Sequence, residues 1–282
     1  MKVGMLLEGG AMRAMFTAGV LDVMLENDIP IDGIIGVSAG ALFGPNYFSK
    51  QRGRVIRLSK RYAKDKRYIS IRNLLLTGNM VSKNFAYYKV NYELDRFDDE
   101  TFQKSNKGFW AVATNVETGK AEYFKIESAK KDMEKFRASS AMPFVSKMVQ
   151  IDEGKYLDGG ISDAIPINKL IEDGYDKMIL ILTQPYDYRK KPLDNKKSKM
   201  IHMKFKKYPN LIGTMEKRYQ TYNQTMEVIQ ELENKNKIFV IRPNQRIDIH
   251  VVERDEHKLQ EVYEMGIKEG KENIEKLKKY LN

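Results

Sequence analysis

The chain has 282 residues, 42% of them hydrophobic, which suffices for the core of one large domain, and no run approaches the roughly 20 apolar residues of a spanning helix. It contains no cysteine, which excludes disulfides, thiolate metal sites and a cysteine nucleophile; Glu8 interrupts the first apolar run before it reaches signal-peptide length, so the expectation is a cytoplasmic protein with any membrane contact peripheral, at the inner face. The net charge of +11 is concentrated in residues 50–72, with ten Lys/Arg against one acid, and residues 189–207, with nine against one, so a mildly acidic body carries two basic strips.

Lys2 to Leu7 is an apolar run ending in Glu8-Gly9-Gly10, after which Met15, Val20, Val23 and Met24 fall on related faces of a helix reaching Asn27. Gly33 to Val37 is a second continuous apolar run, too short for a helix, and a helical pattern resumes at Ala39. Phe109 to Thr114 reads as a strand, and Glu117-Thr118-Gly119-Lys120 places glycine as a hairpin turn before Ala121 to Phe124. Met178 to Leu182 and Ile238 to Ile241 are buried-type strands flanking an amphipathic helix marked by Leu211, Met215, Tyr219, Tyr222, Met226 and Ile229. The last helix runs from Glu256 to Leu281 with Leu259, Tyr263, Gly270, Ile274, Leu277 and Leu281 on one side. Continuous apolar strands alternating with helices predict a three-layer α/β/α sandwich around a mainly parallel sheet.

Chemistry concentrates at Gly36-Val37-Ser38-Ala39-Gly40. In a G-x-S-x-G run small neighbours permit a sharp strand-to-helix turn that presents the serine as a nucleophile, with the helix N-terminus favouring developing negative charge. Taken alone, Ser38 equally suits a helix cap with Gly36 and Gly40 serving the turn. The turn Gly9-Gly10-Ala11-Met12-Arg13-Ala14 has backbone N–H groups placed to hold an oxyanion, or else forms a dinucleotide-binding bend. Asp158-Gly159-Gly160 follows Lys155-Tyr156-Leu157, an aspartate at a strand end that serves as a general base if buried, or as a plain turn residue.

Together these three motifs, in this order, resemble the patatin-like phospholipases, and Ala138-Ser139-Ser140-Ala141-Met142-Pro143-Phe144 is similar to the family's stretch ahead of its aspartate. The resemblance spans residues 3 to 182. It implies a catalytic core over residues 1–190, with residues 191–282 adding a strand and helices packed on the same domain. It further implies that Ser38 attacks an acyl ester, that Asp158 takes its proton without a histidine, and that the turn Gly9, Gly10, Ala11, Met12 and Arg13 stabilises the oxyanion. The substrate class it implies is a lipid or other acyl ester. No cofactor and no metal are expected, since no ligand cluster has metal spacing. The chain departs from the family at Ala11 and Ala14, where glycine is usual; alanine keeps its N–H but disfavours positive φ.

A Ser-His-Asp triad would need His202, His250 or His257, yet a fold with that order places several strands before its elbow, whereas Ser38 follows the second. The dyad is therefore expected. The basic strips interleave cations with Val55, Ile56, Leu58, Tyr62, Met200, Ile201, Met203 and Phe205, a mixture suited either to an anionic bilayer surface or to ordinary amphipathic helices. No nucleic-acid motif accompanies them, so no nucleic-acid partner is expected. The leading reading is a serine lipid acyl hydrolase. A catalytically weak lipid-binding protein is the alternative that Ala11 and Ala14 motivate, and a nucleotide-binding protein rests on the glycine turn alone.

Overall fold

The computed structural model describes all 282 residues. β1 (Val3–Leu7), β2 (Gly33–Val37), β3 (Gly108–Asn115), β4 (Ala121–Lys125), β5 (Val149–Ile151), β6 (Gly154–Asp158), β7 (Lys177–Ile181) and β8 (Phe239–Ile241) form one sheet. Its order is β5-β6-β3-β2-β1-β7-β8, with β4 also paired to β3. β8, β7, β1, β2 and β3 run parallel to one another, while β4, β6 and β5 make antiparallel pairs. β3 and β4 are joined by the turn predicted at Glu117–Lys120.

Helices cover both faces. They are α1 (Met15–Glu26), α2 (Ala39–Phe43), α3 (Pro45–Phe48), α4 (Arg54–Tyr62), α5 (Ile71–Thr77), α6 (Asp99–Lys104), α7 (Met133–Ser139), α8 (Ile167–Glu172), α9 (Asn195–Phe205), α10 (Pro209–Asn234) and α11 (Glu256–Leu281). Every residue of β1 and β2 is buried, as strands covered on both faces require. Alternation sorts their side chains: Met5, Leu7 and Ile34 enter one core with α1 and α11, whereas Leu6, Ile35 and Val37 meet Leu170 of α8 and Tyr222, Met226 and Ile229 of α10 on the other face. The three-layer, mainly parallel arrangement expected from the sequence is the one found.

α10 and α11 form where the apolar spacing places them. α11 lies along α1 at backbone contact, because Gly266 faces the carbonyl of Phe16 with no room for a Cβ atom. Two stretches add to the sequence reading. In the first basic strip Val55, Ile56, Leu58 and Tyr62 are buried, and Arg54 is enclosed with Asp95 and Asn91, its Nε 3.2 Å from Asp95 Oδ1 and its Nη2 donating to Asn91 Oδ1 at 2.8 Å. Charge density there reflects a buried ion pair as well as a solvated face. Lys83–Leu94, unassigned from periodicity, is a π-helical segment; Asn91 Nδ2 reaches the carbonyls of Ala86 and Tyr87 at 3.1 and 3.0 Å, occupying its widened turn.

Candidate active site

The geometry of the site follows from pairing along β3. β4 pairs with Trp110–Thr114 and so occupies one edge of that strand. β2 pairs with Gly108–Val112 and β6 with Ala113–Asn115, and both registers overlap that of β4. A strand has only two edges, so β2 and β6 share the opposite one. Running in opposite directions, they meet end to end at Val112 and Ala113. Ser38, the first residue beyond β2, is thereby set against Asp158, the last residue of β6.

Ser38 adopts φ +55° and ψ −121°, a conformation that few non-glycine residues take up. Its Oγ donates to Asp158 Oδ2 at 2.6 Å, and its N–H donates to Ser139 Oγ at 3.0 Å. Asp158 is fixed on its other sides. Oδ1 accepts from the N–H of Gly160 at 2.8 Å, the Asp158 N–H donates to the carbonyl of Ala141 at 2.9 Å, and the Asp158 carbonyl accepts from Thr114 Oγ1 at 2.8 Å. Burial pushes the Asp158 carboxyl above the usual carboxylate range, against the opposing pull of the Ser38 hydroxyl, the Gly160 N–H and the charge of Arg218. His202, His250 and His257 are all exposed, and none lines the cavities at Ser38.

The glycine turn lies directly beside this pair. A Cβ atom on Gly9 would sit 2.8 Å from that of Ser38, so only glycine permits the approach. The turn is held from below by a buried carboxylate: Glu8 accepts from the Thr183 N–H at 2.7 Å and from the Tyr222 hydroxyl at 3.0 Å. The N–H groups of Gly10 and Ala11 make no hydrogen bond within the protein, and both residues line a cavity shared with Ser38. Ala11 has φ +49°, whereas Ala14 has an ordinary helical φ of −69°. The two departures from the family pattern are thus inequivalent, and only Ala11 occupies the conformation that favours glycine. Met12 and Arg13 continue the turn as a short 3-10 helix over Ala11–Ala14. Gly36 pairs with Leu7 at the end of β2, Gly40 lies in α2 against Leu7, and Gly159 and Gly160 begin the 3-10 turn Gly159–Ile161 that follows Asp158.

Two cavities meet at Ser38. One, of about 190 Å³, is mostly apolar and lies under α4 and the π-helical segment, with Leu42, Leu58, Ala63, Tyr87 and Val145 among its walls. The other, of about 770 Å³, contains Asp158, the glycine turn and the cations Arg13, Lys190 and Arg218. None of these three cations is in an ion pair with a carboxylate. Arg13 Nε is buried without an acceptor, the Lys190 ammonium sits 3.7 Å from the centroid of the Tyr222 ring, and Arg218 Nε donates to the carbonyl of Gly160 at 2.5 Å. Burial, reinforced by Arg218, pulls the Lys190 ammonium down to about 8, with Glu8 opposing. Lys190, Arg218, Ser139 and Tyr222 are not among the site residues that the sequence singles out. Ser139 was visible in the stretch before Asp158; the others come from segments that reach the site only through folding.

The family model for patatin-like phospholipases matches residues 5–171, and a domain of unknown function (DUF6363) matches residues 208–282. The uncharacterized protein YjjU of Escherichia coli is 26% identical over 246 residues, covering 86% of this chain and 68% of YjjU. Lysophospholipase NTE1 of Cryptococcus neoformans is 27% identical over 66% of this chain, which spans 12% of that protein's length, and lysophospholipase NTE1 of Candida albicans is 24% identical over 94% of this chain and 19% of its own. Among solved structures, VipD from Legionella pneumophila aligns over 98% of this chain and 67% of VipD with a TM-score of 0.48 at 13% identity. With that family model matching more than half of its residues, the chain belongs to the patatin-like phospholipase family.

Proposed function

We propose that this protein hydrolyses acyl esters of lipids through an acyl-serine intermediate, with Ser38 as nucleophile and Asp158 as its base. The supporting observation is the 2.6 Å hydrogen bond between Ser38 Oγ and Asp158 Oδ2, placed where an apolar and a cationic cavity join. Asp158 takes the hydroxyl proton as Oγ bonds to the ester carbonyl carbon. The oxyanion so formed faces the free N–H groups of Gly10 and Ala11. Collapse expels the alcohol, which receives the proton from Asp158. Water then enters, Asp158 takes its proton as the hydroxide oxygen bonds to the acyl carbon, and collapse releases the fatty acid and expels Ser38 Oγ, which recovers the proton from Asp158.

The two cavities suggest how the ester lies. The narrow apolar one suits a single acyl chain, and the cations of the wide one suit an anionic leaving group, as in a lysophospholipid. The fungal relatives bear the name lysophospholipase, which agrees with that reading. The rival reading, a lipid-binding protein with little turnover, draws on the strained φ of Ala11 in the turn assigned to the oxyanion.

A panel of lysophospholipids and soluble short-chain p-nitrophenyl esters, run on wild type, Ser38→Ala and Asp158→Ala, separates the two. Hydrolysis by wild type that falls at least about 10³-fold in both variants is the expected result. Equal turnover in Ser38→Ala, or none in any protein, would sink the proposal. Because the base must be ionised and its carboxyl is raised by burial, the acid limb of kcat/KM should lie above the ordinary carboxylate range, activity rising with pH through it.

A further inference from the structure

Alone among the eleven helices, α5 buries none of its residues. Ile71, Leu75 and Leu76 are 66%, 81% and 71% exposed, a cluster that water penalises unless something covers it. The helix is nevertheless properly formed: Ser70 caps its start by accepting from the Asn73 N–H, and Gly78 ends it at φ +77°.

What lies next to α5 indicates its purpose. Beyond Gly78, Met80 donates its N–H to the carbonyl of Val145 at 2.8 Å, and Asn79 Oδ1 accepts from the Lys147 N–H at 2.9 Å. The segment 143–147 then reaches α9, where Phe144 meets Phe205 edge-on at 5.8 Å and Lys204 Nζ lies 4.8 Å from the Phe144 ring. Met200 and Met203 of α9 are also exposed. This rim frames both openings to Ser38, since Met80 and Val145 line the apolar cavity while Phe144 and Met200 line the cationic one. Lys196 and Lys197 line the cationic cavity and Lys204 lies at Phe144, Lys199, Lys206 and Lys207 are in or just beyond α9, and Arg72 lies on α5 itself; all are exposed. Asp194, the acid of that strip, is occupied at the cap of α9 and by Lys197.

We infer that α5, the 143–147 segment and α9 form a docking face for an anionic lipid bilayer, with Leu75, Leu76, Phe144 and Met203 entering the interface and the surrounding lysines holding the surface. Charge complementarity selects this occupant: protruding apolar side chains beside exposed cations, of which Lys197 alone is paired, with Asp194, match an apolar interior beneath anionic headgroups. No helix is long and apolar enough to cross a membrane, so the contact is superficial. The inference uses the proposed function to explain why the openings face lipid, but binding is measured without turnover.

The test is cosedimentation of Ser38→Ala protein with vesicles of phosphatidylcholine alone or of equimolar phosphatidylcholine and phosphatidylglycerol, repeated in Leu75→Ser/Leu76→Ser. Binding to the anionic vesicles that weakens with salt and falls at least about tenfold in the double variant is expected. Hydrolysis of a soluble short-chain ester by otherwise wild-type protein should be unchanged by the same two substitutions. Undiminished vesicle binding by the double variant would overturn the assignment, as would no binding by the parent. So would a concentration-dependent dimer that the double substitution dissociates, which assigns the face to a second copy. Vesicle binding by a protein that hydrolyses no ester removes the proposed function and leaves the dock standing; the reverse result removes the dock alone.

Discussion

The two cavities that meet at Ser38 differ in origin as well as in chemistry. The apolar one is walled mainly by residues 39–91, with Ala11 and Met12, the 140–146 segment and residues 251–259 completing it. The cationic one combines the glycine turn with Lys190, Arg218 and α9, from the later part of the chain. On the proposed function, an ester spanning both would be oriented by that asymmetry. Each methylene buried on the acyl side contributes about 0.8 kcal/mol, and a hydrogen bond to a charged group on the other side about 1.5–3 kcal/mol. On the proposed function, chain length would therefore govern affinity broadly, whereas a few cations would decide which leaving group is accepted.

The largest effect that probes this contrast is expected at Lys190. Lys190→Met should lower kcat/KM for lysophospholipids about 10- to 100-fold and leave neutral esters of equal chain length nearly unaffected. A uniform loss on both would remove the division of labour. The wild-type protein carries its own control, because Lys190 loses its proton as pH rises through about 8, so preference for the anionic ester should decline above that pH while hydrolysis of the neutral one persists.

Next in size is the apolar side. Ala63 is buried in its wall, and Ala63→Phe should shorten the preferred acyl chain, each lost methylene costing about fourfold in kcat/KM across a p-nitrophenyl ester series. An unchanged chain-length profile would place the acyl group elsewhere. The smallest effects have opposite signs. Ala11→Gly relieves a positive φ and should stabilise the protein by about 0.5–1 kcal/mol, whereas Ala14→Gly, in helical geometry, should destabilise it by a similar amount. Thermal melting of the two variants reads the difference directly.

The sheet core was legible in the sequence because its signals are local. β1, β2 and β7 are continuous apolar runs, α10 and α11 carry an unbroken helical period, and each stands where that pattern puts it. The Ser38 and Asp158 motifs were legible too, since tight turns need glycine at fixed offsets. Period alone leaves residues 50–72 open between a bilayer surface and an amphipathic helix, because an apolar side chain among cations looks the same whether it is exposed, as Ile71 is, or in the core, as Val55 is. The cations of the wide cavity escaped for another reason. Lys190 and Arg218 reach Ser38 through tertiary contacts with Tyr222 and the carbonyl of Gly160, and no spacing in a linear sequence encodes such contacts.

The end-to-end meeting of β2 and β6 on β3 makes that strand a ruler for the dyad. Strand pairing moves only in whole residues, so a slip of one position on either side of Val112 and Ala113 shifts Ser38 or Asp158 by about 3.3 Å and turns its side chain to the opposite face. The backbone register that sets the pair is accordingly quantised. Any reactivity at Ser38 would therefore depend on three strands being in register.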